Sequence, residues 1–249
     1  MATRTFDDRA LPDATAPHET RANSVLRPII FGATDGLVSN LALVMGVAGA
    51  NPAPGIIVLA GVAGLLAGAF SMGVGEYISV QSQRELLDFQ IAFQRKQLRE
   101  APEQERAILR GIYEERGFSS EHAAEFSAAV LENVELAVRL LIFEEVGLDA
   151  RSIGSPLTAG LSSFVSFTLG ALVPLLPYLL LGGSSIAGGA TLGLTALGLS
   201  LVSLGLLGAG SATLTRRPIP FGAARQMLLG GTAAGVTFLV GSLLGATGL

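Results

Sequence analysis

Two carboxylates stand inside apolar stretches of this chain: Asp35 within Ile29–Ala48, and Glu76 near the end of Ile56–Val80. An ionisable group at membrane depth costs about 2.5–3.5 kcal/mol even on lenient insertion scales, so each acid marks a candidate functional site. Met72 precedes Glu76 by four residues, which on a helix puts its thioether one turn away on the same face. Ser39 and Asn40 add neutral oxygens beside Asp35, and Gly73 and Gly75 leave room for close backbone approach. Oxygen donors with one thioether, in a chain with no cysteine and two histidines, suit Fe²⁺ or Mn²⁺ better than zinc or copper. A carboxylate in a low-dielectric site holds its proton until a cation displaces it, which is a physical basis for exchanging metal against protons. If the first two spans run antiparallel, counting from their ends puts both acids roughly 6–9 Å below the same boundary. Structural roles compete with this reading. Asp35 could cap a helix break at Gly36 or pair with Arg27 or Arg225, Glu76 could snorkel to the interface, and Met72 could fill core.

Composition identifies the elements that must position these residues. Of 249 residues, 50% are apolar and 14% charged, against about 25% charged in an ordinary soluble domain. The charges crowd into the first 28 residues and into 82–151, leaving long segments almost uncharged. Five apolar stretches have the roughly 20 helical residues needed to cross a bilayer: Ile29–Ala48, Ile56–Val80, Leu157–Leu181, Ile186–Thr213 and Phe221–Leu249. The fold class expected is an all-α membrane protein with five transmembrane helices and a cytoplasmic helical insert between spans 2 and 3. The divisions are a tail over 1–28, spans 1–2 over 29–81, an acidic insert over 82–155 and spans 3–5 over 156–249. Glycines recur at four-residue spacing in the spans, as at Gly32/Gly36, Gly64/Gly68 and Gly241/Gly245, permitting close helix approach. Pro174 and Pro177 should kink the third span.

All 16 lysines and arginines fall in three places: the first 28 residues, the 82–151 segment, and 216–225. Five alternating spans put those three segments on one side, which the positive-inside rule makes the cytoplasm. The N-terminus is then inside, as a mobile polar tail without a signal-peptide run, and the C-terminus outside. Short loops favour a bacterial inner membrane.

In the insert, an unbroken run from Gln81 to Glu100 carries span 2 onward as one helix. Pro102 suits the first turn of the next helix and Gly117 its end, with Ser119 or Ser120 and then Asn133 as caps for two more. About three helices result. Fourteen acidic residues face nine basic ones in 82–151. Carboxylates clustered on facing helices can hold hard divalent ions; they can equally form a solvated surface of pairs such as Glu135–Arg139. The net charge of −4 and the lack of a basic stripe argue against nucleic acid as partner. No G-x-S-x-G, P-loop or H-E-x-x-H is present and the spans hold no His or Lys, so an enzyme is not expected.

Asp35-Gly-Leu-Val-Ser-Asn40, together with Ser71-Met-Gly-Val-Gly-Glu-Tyr-Ile-Ser-Val-Gln-Ser-Gln83, resembles the vacuolar iron transporter family. Ile112-Tyr-Glu-Glu-Arg-Gly117, Glu144-Glu-Val-Gly-Leu148 and the pattern from Ser155 to Pro177 extend the likeness over nearly all of the chain from residue 26. The resemblance implies a five-span homodimer that exports Fe²⁺, often also Mn²⁺, from the cytosol in exchange for protons, with no permanently bound cofactor. It implies a metal path between the subunits using Asp35 and Met72, with Glu76 as the glutamate of the G-E-Y motif. It implies further that insert glutamates gather cations. Glu105 and Glu145 match that pattern, followed by Glu100, Glu103 and Glu144, whereas Gln94, Gln97 and Ile108 stand where glutamates are common. The insert should therefore bind metal more weakly than in a full-complement member. The reading from another class is a non-transporting membrane protein whose acidic insert senses metal or docks a partner.

Overall fold

The computed structural model describes residues 19–146, 154–182 and 188–247, with side chains described from residue 28 and, in the first stretch, as far as residue 144. The first eighteen residues of the expected tail lie outside it. Nine α-helices are present among the described residues: α1 Glu19–Gly49, α2 Pro54–Glu100, α3 Pro102–Glu115, α4 Ser120–Leu131, α5 Val134–Val146, α6 Pro156–Leu172, α7 Leu176–Leu181, α8 Gly189–Leu214 and α9 Ile219–Ala246. Five stretches are long and apolar enough to cross a membrane: Pro28–Gly49, α2, Pro156–Leu181, α8 and α9. The all-α, five-span expectation holds. α1 starts nine residues before Pro28, inside the stretch read as tail, because nothing from Glu19 to Arg27 breaks a helix.

The third span departs from α geometry where its prolines fall. α6 ends at Leu172, a 3₁₀ turn covers Val173–Leu175, and α7 resumes. Pro174 and Pro177 supply no N–H, so the carbonyls of Gly170 and Val173 lose their α-helical donors. The tighter turn restores them, with Val173 N–H donating to Gly170 and Leu176 N–H to Val173. Open carbonyls in hydrocarbon would be costly, and 3₁₀ adjustment is the local remedy.

α1 packs between α6 and α9, α2 lies on α6, and α8 lies on α9. The crossing of α1 and α6 is nearly backbone to backbone. A Cβ on Gly36 would overlap the Phe167 carbonyl, and one on Gly170 would overlap that of Ala33. Phe167 fills the space among α1, α2 and α6, its ring seated against Gly68. Around it Val44, Leu65, Ala69, Ala171 and Leu175 form the main buried cluster.

α2 runs unbroken for 47 residues, about 70 Å at 1.5 Å per residue. Ile57, Gly61, Leu65, Ala69 and Gly73 are buried along its first half, then nothing until Leu87. Through that neck Arg84 Nε reaches the Gly154 carbonyl at 3.0 Å. Beyond it the insert's α3, α4 and α5, three helices starting where the sequence placed them, gather on the far end of α2. Leu109, Val130, Ala137 and Leu141 form one core, and Leu87, Val138 and Ile142 another. Its ends are capped as the sequence indicates. Pro102 opens α3, and Gly117, at φ +94°, closes it with Phe118 N–H on Tyr113 and Gly117 N–H on Glu114. Ser119 Oγ accepts from His122 N–H, and Asn133 Oδ1 accepts from Leu136 N–H at 3.1 Å.

Gly36→Val is expected to destabilise the protein by about 3 kcal/mol or more, since the opposing atom is backbone and cannot repack. Gly210→Ala, where an added Cβ meets nothing within 4 Å, should be neutral or raise stability by about 0.5–1 kcal/mol through helix propensity. Thermal unfolding midpoints of the purified variants in detergent distinguish the two.

Candidate functional site

α1 and α2 bring the two ends of the expected site together in register. Asn40 on α1 faces Gly64 on α2, its Oδ1 lying 3.2 Å from where a Cβ on Gly64 would sit. Because the helices are antiparallel, stepping five residues back along α1 reaches Asp35 at the level of Ala69 on α2, with Met72 three residues further along. A cavity of about 350 Å³ opens there, lined by Asp35, Ser39, Asn40, Ser71, Met72 and Phe167, with Gly64 and Gly68 as its floor on α2. Asp35 and Ser39 are exposed on its rim, Met72 is half-buried, and Asn40 is buried at its base.

Each polar group is held by a specific partner. Asn40 Nδ2 donates to the Ala171 carbonyl at 2.6 Å, in the last turn before the third-span break. That bond orients the amide so that Oδ1 is left without a protein partner. A buried acceptor in this position is available to a cation or its water. Ser39 Oγ donates to the Asp35 carbonyl at 2.6 Å, which leaves its lone pairs free toward the cavity. α1 continues helical through Gly36, so Asp35 does not cap a break. The ion pairs among the described side chains all lie in the insert, and none engages Asp35 or Glu76.

Glu76 is half-buried and does not line the cavity. It sits one turn beyond Met72 toward the insert, about 6 Å along α2. The expectation that Asp35 and Glu76 share one depth is corrected by the register: with Asn40 on Gly64, Asp35 stands level with Ala69, about two turns of α2 before Glu76. Phe167, Ser71, Gly64 and Gly68 belong to the site and were not singled out for it. The glycine spacing was the available signal for two of them, and Phe167 carried none.

The insert's acids do different things. Glu100 and Glu103 are exposed, with loose contacts to Lys96 and Arg106 at 3.9 Å each. Glu105 is only 4% exposed, and Gln94 is as deeply buried. Glu144 is turned inward, its side chain 3% exposed, and is clasped by Arg116, whose Nη1 donates to Oε1 at 2.8 Å. Burial and then the Glu144 carboxylate push the Tyr113 phenol up. Glu114 is held below the usual carboxylate range by hydrogen bonds from Arg110 and Ser120. Glu135 pairs with Arg95 at 2.8 Å, not with Arg139, whose Nε reaches only its backbone carbonyl. The Glu145 side chain lies outside the described residues. Among the described residues no three His, Asp or Glu side chains converge in one chain.

Removing Arg116 strands a buried carboxylate, so Arg116→Ala should destabilise the protein by about 2 kcal/mol, below the 3–5 kcal/mol of a fully buried pair because Arg116 is half exposed. Glu100→Gln, on an exposed side chain, should change stability by less than about 0.5 kcal/mol. Denaturant or thermal unfolding of both variants checks the contrast.

A sequence model of the VIT family matches residues 26–242. Among curated relatives, vacuolar iron transporter 1 of Arabidopsis thaliana is 30% identical over 167 residues, covering 67% of this chain and 66% of that protein. The vacuolar iron transporter of Centaurea cyanus is 30% identical over 162 residues, 65% of this chain and 66% of that protein. That of Acanthamoeba castellanii reaches 36% over 151 residues, 61% of this chain and 54% of its own length. The matched stretch thus spans just under two thirds of the first two relatives and about half of the third. With the family match covering both α1–α2 and the spans after the insert, the chain belongs to the VIT family.

Proposed function

We propose that this protein carries divalent metal, Fe²⁺ first and Mn²⁺ second, out of the cytosol in exchange for protons. The observation that carries the reading is the cavity inside the membrane-spanning helices, where the Asp35 carboxylate, the Met72 thioether and the unpartnered Asn40 Oδ1 face one space. Those donors match a borderline divalent cation. The names of the relatives support iron as the substrate. A carboxylate that binds either a proton or a metal ion supplies the exchange.

The cavity is open on its Asp35 side, which suits completion by the same face of a second copy. α2 also presents Leu86, Phe89 and Phe93 to solvent along one face below the neck, a spacing of three and four residues that fits a helix partner. Both features support a homodimer with the metal path between its subunits. The distribution of arginine and lysine supports the insert and N-terminus as cytoplasmic. On that side the insert's excess of acids raises the local cation concentration, with Glu100 and Glu103 the accessible members and Glu76 next on the way to Met72. Glu144 is committed to Arg116 and is not part of the gathering surface.

The test is Fe²⁺ flux into liposomes containing the purified protein, with and without a pH gradient. Asp35→Asn should lower flux by more than the roughly 10–100-fold typical of losing an outer partner of a metal site, without a change in oligomeric state. Met72→Leu should lower Fe²⁺ flux more than Mn²⁺ flux, because the thioether is the softer donor. Undiminished transport by Asp35→Asn, or flux indifferent to the gradient, overturns the assignment.

A further inference from the structure

Helices α8 and α9 form a V. Near the insert end they touch backbone to backbone, a Cβ on Gly222 coming 2.5 Å from the Gly208 carbonyl oxygen. Toward the other end α9 leaves α8 and leans on α1. There Gly241 meets the Gly46 backbone, and a Cβ on Gly245 would stand 2.7 Å from the Ala50 Cα. The parting leaves a wedge-shaped cavity of about 660 Å³, walled by Leu194 and Leu197 of α8 and by Gly235 and Phe238 of α9. Met45 forms its floor and Asn51, at the end of α1, its rim.

Among the described residues no charged side chain lines the wedge, and Asn51 is its one polar side chain. Water there would find almost no partners, while an empty space of this size would forfeit dispersion contacts along both walls. Leu194 and Phe238 are exposed at the mouth, so the wedge opens sideways between two membrane-spanning helices, where the surrounding medium is hydrocarbon. The Asp35 cavity lies across α1 from it: Asp35, Ser39 and Leu43 face one side, Met45, Ala48 and Gly49 the other. A second copy seated over Asp35 leaves the wedge facing lipid.

We infer that the wedge between α8 and α9 is a binding site for one acyl chain of a membrane phospholipid, with its glycerol-ester region held at Asn51. The tail enters from the side and lies along the apolar walls. The Asn51 amide, at the end of the span where the interfacial region begins, donates to an ester carbonyl.

The chain has no tryptophan, so one introduced residue is a unique probe. Phe238→Trp in the full-length protein is reconstituted into phosphatidylcholine vesicles brominated on the acyl chains, then extracted into unbrominated detergent. Leu180→Trp, 75% exposed and outside the wedge, is the control. The expected result is that both probes are quenched in vesicles, and that after extraction the wedge probe keeps most of its quenching while the control loses it. Gly235→Leu, where an added Cβ meets nothing within 4 Å, should abolish the retained quenching. Ala190→Phe does the same from the opposite wall should the first plug fail to fold. Loss of quenching from the wedge probe as complete as from the control shows free exchange and overturns the inference. So does retained quenching that survives both plugs, or an unquenched wedge probe in intact vesicles, the signature of a second copy occupying the wedge.

Discussion

In a bilayer the hydrocarbon around a helix is as apolar as its side chains, so helices associate by packing closely rather than by escaping water. The crossing of α1 and α6 at Gly36 and Gly170 is where that constraint is met most tightly here. It brings Asn40 within reach of the Ala171 carbonyl and sets Phe167 between α1 and α2. Those two side chains fix the register that brings Asp35 and Met72 to one cavity. The proline break in the third span belongs to the same arrangement, since the helix loosens just beyond the carbonyl that holds Asn40. The candidate site is thus positioned by contacts among uncharged groups, and the Asn40 amide at its base is already oriented by its bond to Ala171.

The insert follows different physics. It is held by leucine, valine and isoleucine clusters and by one inward carboxylate matched to an arginine. Its negative surface and its buried acids are separate populations. Counting glutamates therefore overstates how many are exposed, and Gln94 itself lies in the interior of the insert.

Much of this was legible in the sequence, for identifiable reasons. Span count, helix caps and the break at Pro174 and Pro177 depend on local chemistry, and local chemistry is written in consecutive residues. Asp35 and Met72 stood out because charge and sulfur are scarce in apolar stretches. What failed was distance information. The level of Glu76 relative to Asp35 depends on which residue of α1 meets which glycine of α2, and that does not follow from counting along one helix. Arg116 and Glu144 are 28 residues apart, and nothing in either neighbourhood announces the other. Phe167, one of 12 phenylalanines, became important only once three helices converged on it.

The length of α2 has a mechanical consequence. One uninterrupted helix carries Met72 and Glu76 at one height and anchors the insert's core at another, and between them lies a stretch from residue 74 to 86 in which no side chain is fully buried and Tyr77, against Gly160, and Arg84, on the Gly154 carbonyl, make contact with the rest of the chain. Helices resist bending and twisting unless proline, a bulge or an inserted group weakens them. The insert and the Met72 side chain are therefore joined by continuous helix, so a turn of the insert about the axis of α2 would reach the cavity against the contacts of Tyr77 and Arg84.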